Sequence, residues 1–160
     1  MQTVNLLCVG KLKERFYADA CAEYQKRLGR YCRLSLTELP EQRLGDAPSD
    51  AEVAAALERE ADAIFERLPR GGAVIALCVE GRALSSAALA GAMADYATRG
   101  VSQLSFLIGG SFGMAERVKR AADLRLSMSA MTFPHHLARV MLLEQIYRAY
   151  QIQAGTKYHK

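Results

Sequence analysis

The sequence predicts an α/β fold: a mostly parallel sheet of five or six strands with helices on both faces. Three observations point there. Short apolar runs alternate with longer amphipathic stretches along the whole chain, the order expected of βαβ units. Val4–Val9, interrupted only by Asn5, and Ala73–Val79 (AVIALCV) are continuous enough in apolar residues, rather than alternating, to read as strands buried on both faces. No internal repeat, low-complexity tract or linker interrupts the 160 residues, a length typical of one domain with its own core. Residues 1–160 are therefore read as a single domain.

Each element has its own signal. After the first strand, Val4–Val9, and a Gly10–Lys13 turn, Phe16, Ala20, Tyr24 and Leu28 share one helical stripe closed by Gly29. Arg33–Leu39 alternates as a half-exposed strand, and Pro40–Asp50 is a polar loop. Ser49 followed by Glu52 is a capping-box pattern; Val53, Leu57, Ala61, Ile64 and Leu68 then form the stripe of a second helix. Ala73–Val79 is the third strand, turned at Glu80-Gly81-Arg82. Ser85 or Ser86 caps a helix carrying Leu89, Met93 and Tyr96 that ends near Gly100. Gln103–Ile108 is the fourth strand, a short helix spans about Ala115 to Ala122, and Leu124, Leu126 and Met128 alternate as a fifth strand. Pro134 suits the first turn of a last helix running from about His135 to Ile152.

Composition narrows the class. With 51% hydrophobic and 24% charged residues the chain reads as an ordinary soluble protein. The start, MQTVNLLCVGKLKERF, carries its basic residues after the apolar run, unlike a secretory signal, so a cytoplasmic location is expected. Cys8, Cys21, Cys32 and Cys78 show no CxxC spacing and read as small hydrophobes in a reducing compartment. The net charge of +4 is unevenly spread. Residues 1–110 hold 13 Lys/Arg against 14 Asp/Glu; residues 111–160 hold 8 against 3, together with all three histidines. A basic end on a neutral body suggests a polyanionic partner such as nucleic acid, the alternative being a solvated face.

Leu137, Val140, Met141, Leu142, Leu143, Ile146, Tyr147 and Tyr150 spread around most of the last helix. A helix apolar on nearly all sides is covered on nearly all sides. One face is expected on the sheet and another on a second subunit, making a homodimer; the alternative is a central core helix.

The stretch SFLIGGSFGM, residues 105–114, places three glycines within five positions directly after a strand. Ligands of open α/β sheets bind beyond the carboxyl ends of strands, so this turn is where a small-molecule pocket is sought. The dinucleotide fingerprint and the P-loop are both absent. Adjacent His135 and His136 point about 100° apart on a helix and have no partner at ligand spacing, so no metal is expected.

The segment MTFPHHLARVMLLEQIYRAYQI, the closing YHK and the glycine turn FLIGGSFG resemble the SPOUT superfamily, and more closely the RlmH family of 23S rRNA pseudouridine N3-methyltransferases. The resemblance runs from LLCVGKLKE through EYQKRLGRY to the end of the chain. It implies a C-terminal trefoil knot, a bent S-adenosylmethionine (SAM) as cofactor, and 23S rRNA in the ribosome as partner. By position, Leu77, Gly109, Gly110 and Met128-Ser129-Ala130-Met131-Thr132-Phe133 would line the cofactor. Apolar Leu77, Met131 and Phe133 would meet the base, and glycine would let backbone groups approach its edge.

Candidate catalytic groups lie in the basic part. His159 suits proton transfer near neutral pH, Tyr158 suits stacking on or bonding the target base, and Arg139 suits an N3 anion or a phosphate. Glu144 reads as the partner of Arg148 at i,i+4 spacing. Arg117, Lys119, Arg120 and Arg125 are candidates for backbone contact with rRNA. Two other readings stand beside this one: a non-catalytic ribosome-binding factor on a knotted scaffold, and a small-molecule enzyme using the glycine pocket for another nucleotide.

Overall fold

A computed structural model describes residues 1–160. In chain order the elements are β1 (Thr3–Val9), α1 (Arg15–Leu28), β2 (Arg33–Leu39), α2 (Asp50–Arg67), β3 (Ala73–Ala83), α3 (Ser86–Thr98), β4 (Gln103–Ile108), α4 (Glu116–Ala121), β5 (Leu124–Ser127) and α5 (His135–Gln153). The five strands form one wholly parallel sheet in the order β2-β1-β4-β3-β5.

Two cores follow from strand pleating. On β1, Val4, Leu6 and Cys8 face a core shared with α1, α3 and α5, whereas Leu7 and Val9 face one shared with α2 and α4. This is why the central runs are nearly continuous in apolar residues, the buried Asn5 of β1 being paired with Ser105 of β4, while edge strand β2 alternates as its sequence suggests. Crossovers that step one way along the sheet use helices of the first face, and those that step back use the second. All therefore share one hand. The chain leaves β3 toward α3 and adjacent β4 toward α4, so their carboxyl ends part around a crevice, a topological switch point.

Local signals behave as their chemistry demands at α2 and α3. The Ser49 hydroxyl accepts the Glu52 N–H while the Glu52 carboxylate accepts the Ser49 N–H, a complete capping box. Ser85, not Ser86, caps α3.

Three expectations need correction. The third strand does not end at a Glu80-Gly81-Arg82 turn. It bulges after Leu77 and resumes pairing with β5 at Arg82, reaching Ala83. Gly81 makes this possible, because a Cβ there would lie 2.8 Å from the Arg125 carbonyl oxygen. The inward stripe of α1 is Tyr17, Cys21, Tyr24 and Leu28, the two tyrosines half-buried and Cys21 and Leu28 buried, leaving Phe16 65% exposed. Strict i+4 steps drift around a helix by about 40° each, so a stripe counted from Phe16 slides off the core face. Pro134 sits one residue before α5, as its N-cap, with its carbonyl accepting the Ala138 N–H.

Helix α5 lies between α1 and α3. Leu142, Leu143, Ile146, Ala149 and Tyr150 are buried there, while Leu137, Val140, Met141 and Tyr147 form a half-buried outer row. All four cysteines are free thiols; burial pushes Cys8 up to about 12 and Cys32 to about 11. No helix is long and apolar enough to cross a membrane.

Candidate active site

At the switch point lies a cleft of about 800 Å³, within the range of roughly 300–1,000 Å³ usual for small-ligand sites. Three segments wall it: the bulged end of β3 from Leu77 to Glu80, the turn from Ile108 to Met114, and the chain from Met128 into α5, with Lys119 of α4 at the rim. Every cofactor position read from the sequence lines it except Ala130, which is exposed and turned away. The reason is local. Ser127 Oγ donates to the Ser129 carbonyl and Ser129 Oγ accepts the Met131 N–H, a serine-built turn that points Ala130 outward.

The glycine turn has a separate reason at each position. A Cβ on Gly109 would lie 2.4 Å from the Gly113 carbonyl oxygen, so the two arms of the turn close only over a bare backbone. Gly113 has φ +84, which L side chains disfavour. A Cβ on Gly110 would lie 2.6 Å from Oε1 of Glu41, a residue of the β2–α2 loop. That same oxygen accepts both the N–H and the hydroxyl of Ser111, each at 2.9 Å. Glu41 thus fastens the turn from outside. Burial pushes the Glu41 carboxyl up, but the two Ser111 bonds outweigh it and hold the group below the usual carboxylate range.

His135 lines the cleft, and its buried Nε2 has no hydrogen-bond partner. Burial, then neighbouring His136, pushes its pKa down, so the ring is neutral at pH 7. Glu80 and Lys119 form an ion pair at the rim. Together these walls suit a ligand with a flat apolar face, a polar edge and a charged arm. Leu77, Met131 and Phe133 supply apolar surface, the glycine turn supplies close-lying backbone, and the rim supplies charge.

The three catalytic candidates do not converge on this cleft within one chain. Arg139 requires correction as a group for substrate anions. It is 2% exposed, donating to Glu38 Oε2 at 2.8 Å and to the Gly10 carbonyl at 3.1 Å. The pairing of Cys8 with Glu38 across β1 and β2 places that carboxylate where α5 begins, and a buried guanidinium needs such a partner. Tyr158 and His159 lie on the outer side of α5. The Tyr158 hydroxyl donates to Glu144 at 3.1 Å and its ring packs edge-on against Tyr147 at 5.0 Å. The His159 Nδ1 lies 3.2 Å from Arg148, which itself forks onto Glu144 as the i,i+4 spacing suggests. Burial and the bond to Glu144 raise the Tyr158 phenol above its ordinary value.

Sequence reasoning missed Glu41, Glu80, Lys119 as a cleft group, and His135. The MTFPHH string marked the neighbourhood of His135. Nothing in a polar loop marked Glu41, whose role exists only because the sheet order brings β2 and β4 to either side of β1.

A family model described as predicted SPOUT methyltransferase matches residues 1–159. The ribosomal RNA large subunit methyltransferase H of Streptococcus equi subsp. zooepidemicus is 43% identical over 98% of this chain and 99% of its own length. Among solved structures, a methylase family protein of Haemophilus influenzae superposes with a TM-score of 0.60 at 12% identity, covering 99% of this chain and 71% of that one. A Legionella pneumophila protein, described in complex with the bound cofactor SAM, superposes with a TM-score of 0.50 at 13% identity, covering 95% and 66%.

Proposed function

This chain belongs to the SPOUT methyltransferases of the ribosomal RNA large subunit methyltransferase H family, and from that premise we propose that it methylates N3 of a pseudouridine in 23S rRNA, using SAM and acting on the assembled ribosome as a homodimer. The observation that carries the reading is the switch-point cleft, walled by a glycine turn that only bare backbone can close.

The cleft fits the cofactor in size and chemistry. Backbone groups of Gly109 and Gly110 would meet the adenine edge, Leu77, Met131 and Phe133 would supply apolar surface for its faces, and the Glu80–Lys119 rim would hold the amino-acid arm; all of these residues line the cleft. When bound, SAM supplies an electrophilic methyl on a sulfonium that departs as a neutral thioether. The protein holds the nucleophilic nitrogen in line and manages the departing N3 proton. Alignment of this kind contributes several kcal/mol, and a positioned base about 10²–10⁴-fold. The knotted path of the family would thread residues 128–134 and α5 beneath the turn.

The outer row of α5 is the proposed dimer surface. On it, the Tyr158–His159 tail is held against α5 by Glu144, Tyr147 and Arg148, away from its own cleft, and would complete the partner's, with His159 as proton acceptor and Tyr158 against the target base. Arg139 keeps a positioning role, bracing α5 against β1 and β2. Recognition is assigned in part to the dimer surface and to a preformed ribosomal shape.

The test is transfer of labelled methyl from SAM to ribosomes lacking the modification. Free 50S subunits, 70S ribosomes and deproteinised rRNA run side by side, with His159→Ala beside the wild type. Label at one pseudouridine in ribosomes, falling 10²-fold or more in the variant, supports the reading. A folded dimer that labels no substrate overturns it in favour of a ribosome-binding factor.

A further inference from the structure

A run of aromatic rings leads from the cleft to the protein surface. His135 lines the cleft, and the ring of His136 lies 4.1 Å from it, centroid to centroid. Tyr17 follows at 6.1 Å from His136, and Phe16 at 4.5 Å from Tyr17. Phe16 ends the run 65% exposed. A single exposed phenylalanine means little on a protein surface. A ring that ends a continuous aromatic path into a cleft is a different object.

Its surroundings carry a sign. Lys11, Lys13 and Arg15 directly precede Phe16 in the chain and are all exposed. The only acid within this segment, Glu14, has its carboxylate 3.5 Å from the His136 Nδ1, and Arg15 meets Asp19 only at 3.9 Å with both groups in solvent. Lys11 and Lys13 have no carboxylate within salt-bridge distance. Subunit interfaces are depleted of lysine at their centres, so this ring is poorly dressed for a second copy of the chain. Aromatic faces interleaved with cations are the chemistry of single-stranded nucleic acid binding, where bases stack on rings and phosphates meet lysines.

We propose that the strip Phe16–Tyr17–His136 is a platform for unpaired RNA: Phe16 stacks a base beside the target nucleotide, and Lys11 and Lys13 hold its phosphates. This rests on the ribosomal RNA reading above. Sequence-specific contacts to RNA are made chiefly with unpaired bases, so a path of rings into the cleft also orients the target for transfer.

The experiment compares wild type, Phe16→Ala, Phe16→Trp and a Lys11→Ala/Lys13→Ala double variant. It measures steady-state methyl transfer to ribosomes, direct ribosome binding, S-adenosylhomocysteine affinity and mass in solution. Expected is a rise of about tenfold in KM for ribosomes in Phe16→Ala, with kcat and S-adenosylhomocysteine affinity unchanged. Phe16→Trp restores KM, and the double variant shows weaker binding with a shallower dependence on salt. Unchanged KM and ribosome binding in Phe16→Ala overturn the proposal. So does a loss of dimer mass, which would make Phe16 a subunit contact. A wild type that labels no RNA would sink the function proposed above; ribosome binding by wild type against Phe16→Ala would still decide the platform.

Discussion

Gly109 and Gly110 differ at the scale of single atoms, and the difference is measurable. A methyl on Gly109 meets main chain at 2.4 Å, and neither arm of the turn can yield without losing its shape. A methyl on Gly110 meets the far end of the Glu41 side chain, which can swing aside. Gly109→Ala is expected to cost about 2–3 kcal/mol in urea denaturation and to abolish S-adenosylhomocysteine binding in calorimetry. Gly110→Ala is expected to weaken binding about tenfold, and no further in combination with Glu41→Gln, since both changes release the same latch. The latch also has a pH dependence whose sign is set by its depressed pKa. Its contribution is complete above the ordinary carboxylate value of about 4.3 and fades as pH falls through the lower folded value. Exchange of the Ser111 amide proton, measured against its intrinsic rate from pH 7 downward, should stay slow through pH 5 and quicken relative to that rate only below it. Quickening already at pH 5 would remove Glu41 as the anchor.

Elements show how far each local signal carries. The α2 capping box was legible in Ser49 and Glu52 because both partners lie within one turn. Ser49→Ala should cost about 1 kcal/mol by denaturation and leave methyl transfer untouched, since Ser49 does not line the cleft. The β3 bulge was not legible, because the clash that demands Gly81 comes from β5, more than forty residues later. The stripe of α1 was misplaced by one residue, since Phe16 and Tyr17 differ little in hydrophobic pattern and only packing against α5 chooses between them. Arg139 shows the same limit. A lone arginine on an apolar helix reads equally as a substrate group or a buried strut, and Glu38, 101 residues away in sequence, decides for the strut. Arg139→Met should destabilise the fold by about 3 kcal/mol, with Arg139→Lys recovering little, because a lysine cannot fork between Glu38 and the Gly10 carbonyl. Equal stability of Arg139→Met and wild type would show that the pair contributes nothing.

For the whole molecule, the outer row of α5 is the surface on which the proposed homodimer rests. Val140→Glu is expected to convert the proposed dimer into a folded monomer by light scattering, with S-adenosylhomocysteine binding reduced less than methyl transfer, because the proposed cofactor walls belong to one chain and the proposed tail contacts do not. A Val140→Glu protein that keeps the dimer mass would place the interface elsewhere. What the sequence determined by itself was everything written in local periodicity and local chemistry: the order of strands and helices, buried against edge strands, the cap of α2 and the glycine turn as a pocket floor. Only the tertiary structure decided the sheet order, and through it the latch of Glu41 on the turn, the burial of Arg139, the outward face of Phe16 and the distance of Tyr158 and His159 from their own cleft. Periodicity and capping act within a few residues, whereas each of these contacts joins groups that meet only after the sheet has closed.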